Sequence, residues 1–252
     1  LLVESFAAAT RLGRVPVVRE SLDTDTRRDR LFRTLNQRFH RDRWLDPMTP
    51  GSLLTQYLDQ LDNHLLDLAT TARPALQRAA ARAAHARAQG HRVYLVVGPH
   101  GLPHHAATLQ RTTHPNPQAE AERSAASGIP HSTTTTTTTT TPFPYHTLGE
   151  SEKPSPHDAV LAFADYQHAG AYDFFPQVDR LRKTRRITWL LNAHNTYRHD
   201  LRRGERVVDL LTPVGDAAIR VSMYDAPLGP TSGVITLAAF HAITLELTHP
   251  DR

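Results

Sequence analysis

Three short apolar runs constrain the fold of this chain most. They occupy residues 92–97, 159–164 and 187–191, and each is followed by a turn that contains Gly, Asp or Asn. Each run is too short for a typical helix, and this length indicates a strand that is buried on both faces. Strands of that kind occur in parallel sheets. Runs separated by helical segments therefore predict a βαβ pattern and an α/β fold.

Two helical segments precede the first run. Leucines recur on one face of residues 52–69, and an alanine-rich segment occupies residues 74–89. Ser52 is a plausible N-cap after Pro50 and Gly51, whereas Gly90 suits the end of the second helix. A leucine stripe of this kind is typical of a helix that packs on a core.

Residues 1–50 form a charged leader ahead of an α/β domain at residues 51–252. Leu31, Phe32, Leu35 and Phe39 have a spacing that predicts one apolar face of a helix, which packs on the domain or on a second subunit. Arginines crowd this segment, but interspersed aspartates dilute their field. We therefore do not expect nucleic-acid binding.

An insertion of low complexity interrupts the domain between about residues 112 and 156. It contains nine consecutive threonines at residues 133–141 and several prolines. This composition predicts a flexible or extended loop rather than a packed element. Because threonine favours strands, an edge strand within the run is the alternative.

A helix start near the C-terminus has the residues of an anion site. Gly229 permits a tight turn before Pro230, and Thr231 or Ser232 can serve as the N-cap of a long apolar helix. The free amides of a first turn and the positive end of the helix dipole favour an anion. An ordinary capped core helix is the alternative.

These residues carry a family resemblance. The segment 212–219, the Gly229-Pro230-Thr231-Ser232 turn and the helix that contains Glu246 resemble the C-terminal part of sugar isomerase (SIS) domain proteins. The similarity is greatest to a bacterial branch with Gly-Asp-Ala-Ala and Gly-Pro-Thr-Ser motifs, and it extends over about residues 52–249. It implies a Rossmann-like, three-layer αβα sandwich with a mainly parallel sheet. It also implies a homodimer to which the leading helices contribute.

The resemblance further implies a site for the phosphate of a sugar phosphate, held by two loops. The first loop, at residues 98–101, keeps a glycine and a histidine but lacks the usual serines. The second loop, at residues 165–170, has no serine. Histidines can replace hydroxyl donors, or they can be relics of a decayed site. The ligand-binding residues that we predict are Gly98, His100, Gly101, His168, Gly170, Gly229, Thr231 and Ser232.

Isomerisation would need a base that moves a proton between adjacent carbons. The candidates are His100, His168, His241 and Glu246, of which the last two can equally be packing residues. No nucleophile elbow, P-loop or dinucleotide fingerprint is present, and we expect no cofactor. Sixteen histidines raise the question of a metal, but without a His-Glu-x-x-His pattern we expect none.

The composition limits the chemistry that this chain can perform. The chain has no cysteine, which excludes disulfides and thiolate catalysis, and its formal charge of +4 suits an anionic ligand. No apolar run reaches the roughly 18 residues that span a bilayer, so we expect a cytoplasmic protein without membrane contact. Two functions follow as hypotheses. One is binding or isomerisation of a phosphorylated sugar, and the other is a degenerate SIS domain kept for dimerisation or regulation, including within a transcription regulator.

Overall fold

A computed structural model describes ten stretches of the chain: residues 2–18, 37–97, 145–148, 152–164, 180–181, 189–192, 206–212, 218–222, 224 and 228–248. They contain four helices, α1 (Leu2–Arg11), α2 (Ser52–Asp67), α3 (Arg73–Ala88) and α4 (Ser232–Thr248). They also contain five strands, β1 (Val93–Val97), β2 (His146–Thr147), β3 (Ala159–Ala164), β4 (Trp189–Asn192) and β5 (Arg206–Asp209).

The five strands form one parallel sheet in the order β2-β1-β3-β4-β5. The longest pairing joins β1 to β3, from Val93 opposite Ala159 to Val97 opposite Phe163. The mixed α/β class and the parallel sheet are thus confirmed. The apolar runs located β1, β3 and β4, whereas β2 and β5 were not predicted.

The core lies where the sheet meets α3 and α4. Ala79, Ala83 and Ala86 of α3 are buried, and such small side chains let the helix approach the sheet closely. Phe240 of α4 packs on Phe163 of β3 with 6.0 Å between ring centroids. The five residues from Ala159 to Phe163 point alternately to opposite faces of β3 and are buried, so this central strand is covered on both sides.

A π-helical turn at Leu68–Ala72 joins α2 to α3, so the two predicted helices form one interrupted helical path. Their observed bounds lie within two residues of the predicted ones. The Thr70 hydroxyl donates to the Leu66 carbonyl at 2.7 Å, a local bond of the kind that bends helices. Turns of this type are uncommon in helices and frequently occur at functional sites.

The prediction of Ser52 as N-cap is wrong. Gly51 is the N-cap, with φ of 84°, and Ser52 is the first helical residue. The capping acceptor comes from α1, because the Glu4 carboxylate accepts the amide of Gly51 at 2.8 Å and that of Leu54 at 3.3 Å. A carboxylate at this position also complements the helix dipole.

The leader packs on the domain through α1. Val3 and Ala7 form a buried cluster with Leu53, Ile219 and Leu228. The predicted helix around Leu31, Phe32 and Leu35 lies outside the described residues. Phe39, which was predicted on that helix, instead forms an antiparallel bridge with Pro16, so its helical assignment is wrong.

The end of the predicted insertion belongs to the packed domain. Tyr145 and Leu148 flank the edge strand β2, and both are buried. The Tyr145 hydroxyl is 3.0 Å from Oγ1 of Thr244 on α4, and burial raises the pKa of Tyr145 above its ordinary value. The threonine run lies outside the described residues, and so does the alternative of an edge strand within that run.

Asp158 links the start of β3 to the start of β1 by a hydrogen bond. Its carboxylate accepts the Arg92 amide at 3.0 Å and the Ser155 amide at 2.6 Å. Partial burial pushes the pKa of Asp158 upward, but these hydrogen bonds outweigh it, and the net pKa is lowered. The ionised carboxylate therefore stabilises the fold.

Replacing Asp158 with Asn is expected to lower the free energy of unfolding by about 1–3 kcal/mol at pH 7, because one amide donor loses its acceptor. Folding lowers the pKa, so this contribution is present above the unfolded value of about 3.9 and is lost as the pH falls through the folded pKa. Urea denaturation at several pH values measures both effects. Asp59→Asn, at an exposed position of α2, is the control. A loss that persists undiminished in acid would contradict the carboxylate's role.

Candidate functional site

The strand order reverses direction between β1 and β3. From β1 the chain passes to β2 on one side and returns to β3 on the other, after which β4 and β5 continue outward. In open parallel sheets, ligands bind outside the carboxyl ends of the strands at such a reversal. The carboxyl ends concerned are Val97 and Ala164.

Five of the predicted site residues follow these two strand ends in the chain. Gly98, His100 and Gly101 come directly after β1, and His168 and Gly170 come shortly after β3. All five lie outside the described residues. The register that places Val97 opposite Phe163 brings the starting points of both loops to the same edge of the sheet.

Two residues after β5 form a feature of this edge that the sequence reasoning did not select. Leu211 has φ of 60°, which is rare for a side chain of its size and costs on the order of 1–3 kcal/mol. Asp209 helps to hold this turn, since its carboxylate accepts the Leu211 amide at 2.8 Å. The next residue, Thr212, is buried, and its hydroxyl has no hydrogen-bond partner in the described part of the chain. No sequence pattern signals either property.

Thr231 is the N-cap of α4. Its carbonyl accepts the Ile235 amide at 3.0 Å, which is the first bond of the helix, and Ser232 is the first helical residue. Gly229 turns the chain into the helix with φ of 78°. Three predicted site residues thus lie together at one helix start, where Thr231 is 0% and Ser232 1% exposed.

Tyr57 of α2 covers this helix start. Its hydroxyl donates to the Pro230 carbonyl at 2.9 Å, and a Cβ atom at Gly229 would lie 2.6 Å from its Cδ2 atom. Val3 of α1 packs against the same glycine. Tyr57 and Val3 therefore leave no room for a side chain at position 229.

Glu246 is separated from the start of α4. It lies fourteen residues after Ser232, which is about 21 Å along a helix. Glu246 lines a different feature, a cavity of about 530 Å³ between α2, α3 and α4. His241, the other candidate base on this helix, packs edge-on against Phe240 with 5.6 Å between ring centroids.

The cavity between the three helices is an apolar groove. Its lining includes Leu68 of the π-helical turn, Leu76 of α3 and Ile243 of α4. Among the described residues that line it, the strongly polar ones are Arg73, Gln77 and Glu246. The described part of the chain gives neither Arg73 nor Glu246 a hydrogen bond or ion pair. The groove thus combines an apolar wall with two opposite, uncompensated charges.

No three metal-ligating side chains converge within the described ranges. The histidine pair found there is His91 with His157, whose rings stack with centroids 5.2 Å apart at the amino edge of the sheet. His104, His105, His194 and His199 lie outside the described residues. None of the helices in the described part of the chain is long and apolar enough to cross a membrane.

The chain matches no protein-family model, and no similar sequence is found among curated proteins. The SIS resemblance therefore depends on the motifs at residues 212–219 and 228–232 and on the order of the elements. The strand reversal and the strained turn after β5 are features of the described fold and do not depend on that resemblance.

Gly229→Ala is expected to destabilise the fold far more than Gly90→Ala. Both glycines have φ of 78°, so both substitutions incur a backbone strain of about 1–2 kcal/mol. At Gly229 the new methyl group also meets the Tyr57 ring, whereas nothing lies within 4 Å at Gly90. Overpacking adds about 1–3 kcal/mol, measurable by thermal or urea denaturation. Equal losses in the two variants would show that Tyr57 does not pack on Gly229.

Proposed function

We propose that the chain is a three-layer αβα domain of the SIS type that binds a phosphorylated sugar or a related anionic carbohydrate derivative. The ligand lies outside the carboxyl ends of β1 and β3. The strand reversal between them is the observation that carries this proposal. The burial of both faces of β3 supports a layer of helices on each side of the sheet.

The loops after these strands supply the ligand contacts. Gly98, Gly101 and Gly170 let the backbone approach a phosphate closely, and the imidazoles of His100 and His168 donate hydrogen bonds to it. Protonated imidazole adds a favourable charge. The buried Thr212 hydroxyl, after the strained turn at Leu211, offers a further donor at the same edge of the sheet.

Any isomerase-type activity would use a histidine as the base. His100 and His168 follow the two strands that border the reversal, whereas Glu246 lines the helical groove. An imidazole has a pKa near neutrality, so it can accept and return a proton at physiological pH. Binding is the primary function in this proposal, and catalysis is secondary.

The second candidate function is a degenerate SIS domain that acts through dimerisation or regulation without catalysis. The burial of Thr231 and Ser232 favours this candidate, because side chains that solvent does not reach contribute to packing rather than to contact with a ligand. The absence of serine from residues 98–101 and 165–170 favours it as well.

Sugar phosphates should raise the melting temperature of the purified protein, whereas the corresponding unphosphorylated sugars should not, because ligand binding stabilises the folded state. His100→Ala combined with His168→Ala should abolish the shift. The shift should also be larger at pH 6 than at pH 8, since an ordinary imidazole is protonated below about pH 6.5.

His85→Ala, at an exposed position in the last turn of α3, is the matched control and should keep the full shift. If the protein is folded and none of the sugar phosphates raises its melting temperature, ligand binding is rejected and the second candidate function remains. A shift that survives the double substitution would place the ligand elsewhere.

A further inference from the structure

The groove between α2, α3 and α4 has the size and the lining of a small-molecule site. Its volume of about 530 Å³ lies within the range of about 300–1,000 Å³ that ligand pockets occupy. Eight of its eleven lining residues are apolar, and the other three are the strongly polar residues named above. An apolar pocket with a small number of polar groups suits a ligand that has a hydrocarbon body and one polar head.

The π-helical turn forms part of the groove wall. Leu68 and Ala69 belong to this turn, and both line the groove. Turns of this type are rare inside helices and frequently occur at functional sites. The irregular turn is therefore a second observation, separate from the volume, that associates the groove with a ligand.

Glu246 gives the groove a carboxylate without a cation beside it. It lies in the last turn of α4, which contains no basic residue, at the negative end of the helix dipole. Its side chain is half-buried, and no other described residue forms an ion pair or a hydrogen bond with it. The dipole and the partial burial both disfavour an isolated negative charge. A cation bound in the groove would compensate for both effects.

Arg73, the other charged residue at the groove, lies in a different environment. Its side chain is exposed, so water hydrates the guanidinium group and salt screens its charge. Gln77 lies one turn later on α3 and is exposed as well. An exposed charge contributes little to binding, whereas a half-buried charge contributes more because water screens it less. Glu246 therefore determines which charge a bound ligand must carry.

We propose that the groove binds an amphipathic amine, that is, an organic cation with an apolar body. The ammonium group donates hydrogen bonds to the Glu246 carboxylate, and the hydrocarbon body packs against Leu68 and Ile243. Leu245, which is 59% exposed and also lines the groove, is covered by the bound ligand. This ligand has the opposite charge to a sugar phosphate. Its site lies among the helices, so it is independent of a ligand at the carboxyl edge of the sheet.

Three ligands with one apolar body and different heads test the charge preference. We would titrate the full chain with 4-phenylbutylamine, 4-phenylbutanol and 4-phenylbutyrate near neutral pH and measure binding by isothermal titration calorimetry. The amine should bind about tenfold or more tightly than the alcohol, because a charge-assisted hydrogen bond to Glu246 is stronger than a neutral one. The carboxylate should bind most weakly, since the two negative charges repel each other.

Substitutions in the groove test the two parts of the ligand separately. Glu246→Gln should weaken binding of the amine about tenfold or more and leave binding of the alcohol within about twofold. Asp59→Asn removes an exposed carboxylate of α2 outside the groove and should leave both affinities within about twofold. Ala69→Phe, at an exposed position of the π-helical turn, should weaken binding of all three ligands because the ring occupies part of the groove. Circular dichroism checks that each variant is folded.

Three results would overturn the proposal. The first is a folded protein that binds none of the three ligands up to about 10 mM, a range that includes weak binding. The second is amine binding that Glu246→Gln or Ala69→Phe leaves unchanged, because the amine then lies elsewhere. The third is tightest binding of the carboxylate with loss of that binding in Arg73→Gln, because Arg73 then determines the charge preference. None of these results depends on sugar phosphates, so this proposal and the proposed function fail separately.

Discussion

The pairing of β1 with β3 is the interaction on which the rest of the structure depends. Five consecutive residue pairs hold the two strands in register, and the side chains of β3 are buried on both faces. Such a strand must be covered from two sides, because exposed apolar faces on a parallel sheet would lose their favourable burial. The same pairing sets the place of the strand reversal. The fold and the proposed ligand site thus have one origin.

The helical layer is organised by contacts between parts of the chain that are distant in sequence. Glu4 caps α2, Tyr57 of α2 covers Gly229, and Phe240 of α4 packs on β3. Each contact joins the next element to the previous one, so the leader, the helices and the sheet form a connected structure. The turn before α4 has the residue types of an anion site, but α2 also packs on it through Tyr57. The second proposed function assigns this helix start to packing, whereas the first takes its ligand contacts from the loops after β1 and β3.

The predictable part of the fold consists of elements with a strong local pattern. Strand β3 has the limits of its apolar run, β1 begins one residue after the start of its run, and α2 and α3 lie within two residues of the expected bounds. Strand β5 was missed because Arg206–Asp209 has only two apolar residues, which is too weak a signal. Serine is favoured at N-caps, which predicts Ser52 there, but the acceptor comes from Glu4, some fifty residues away. At the site, the strained Leu211 and the buried Thr212 carry no sequence signal.

The sequence by itself determined the α/β class, the main helices and strands and the residue types after β1 and β3, because periodicity and turn residues act over short distances. Only the tertiary structure decided the strand order, the covering of Gly229 by Tyr57 and the separation of Glu246 from the start of α4. It also brought Arg73, Leu245 and Glu246 to one groove. These features depend on contacts between residues that are far apart in the sequence, and local propensity does not predict such contacts.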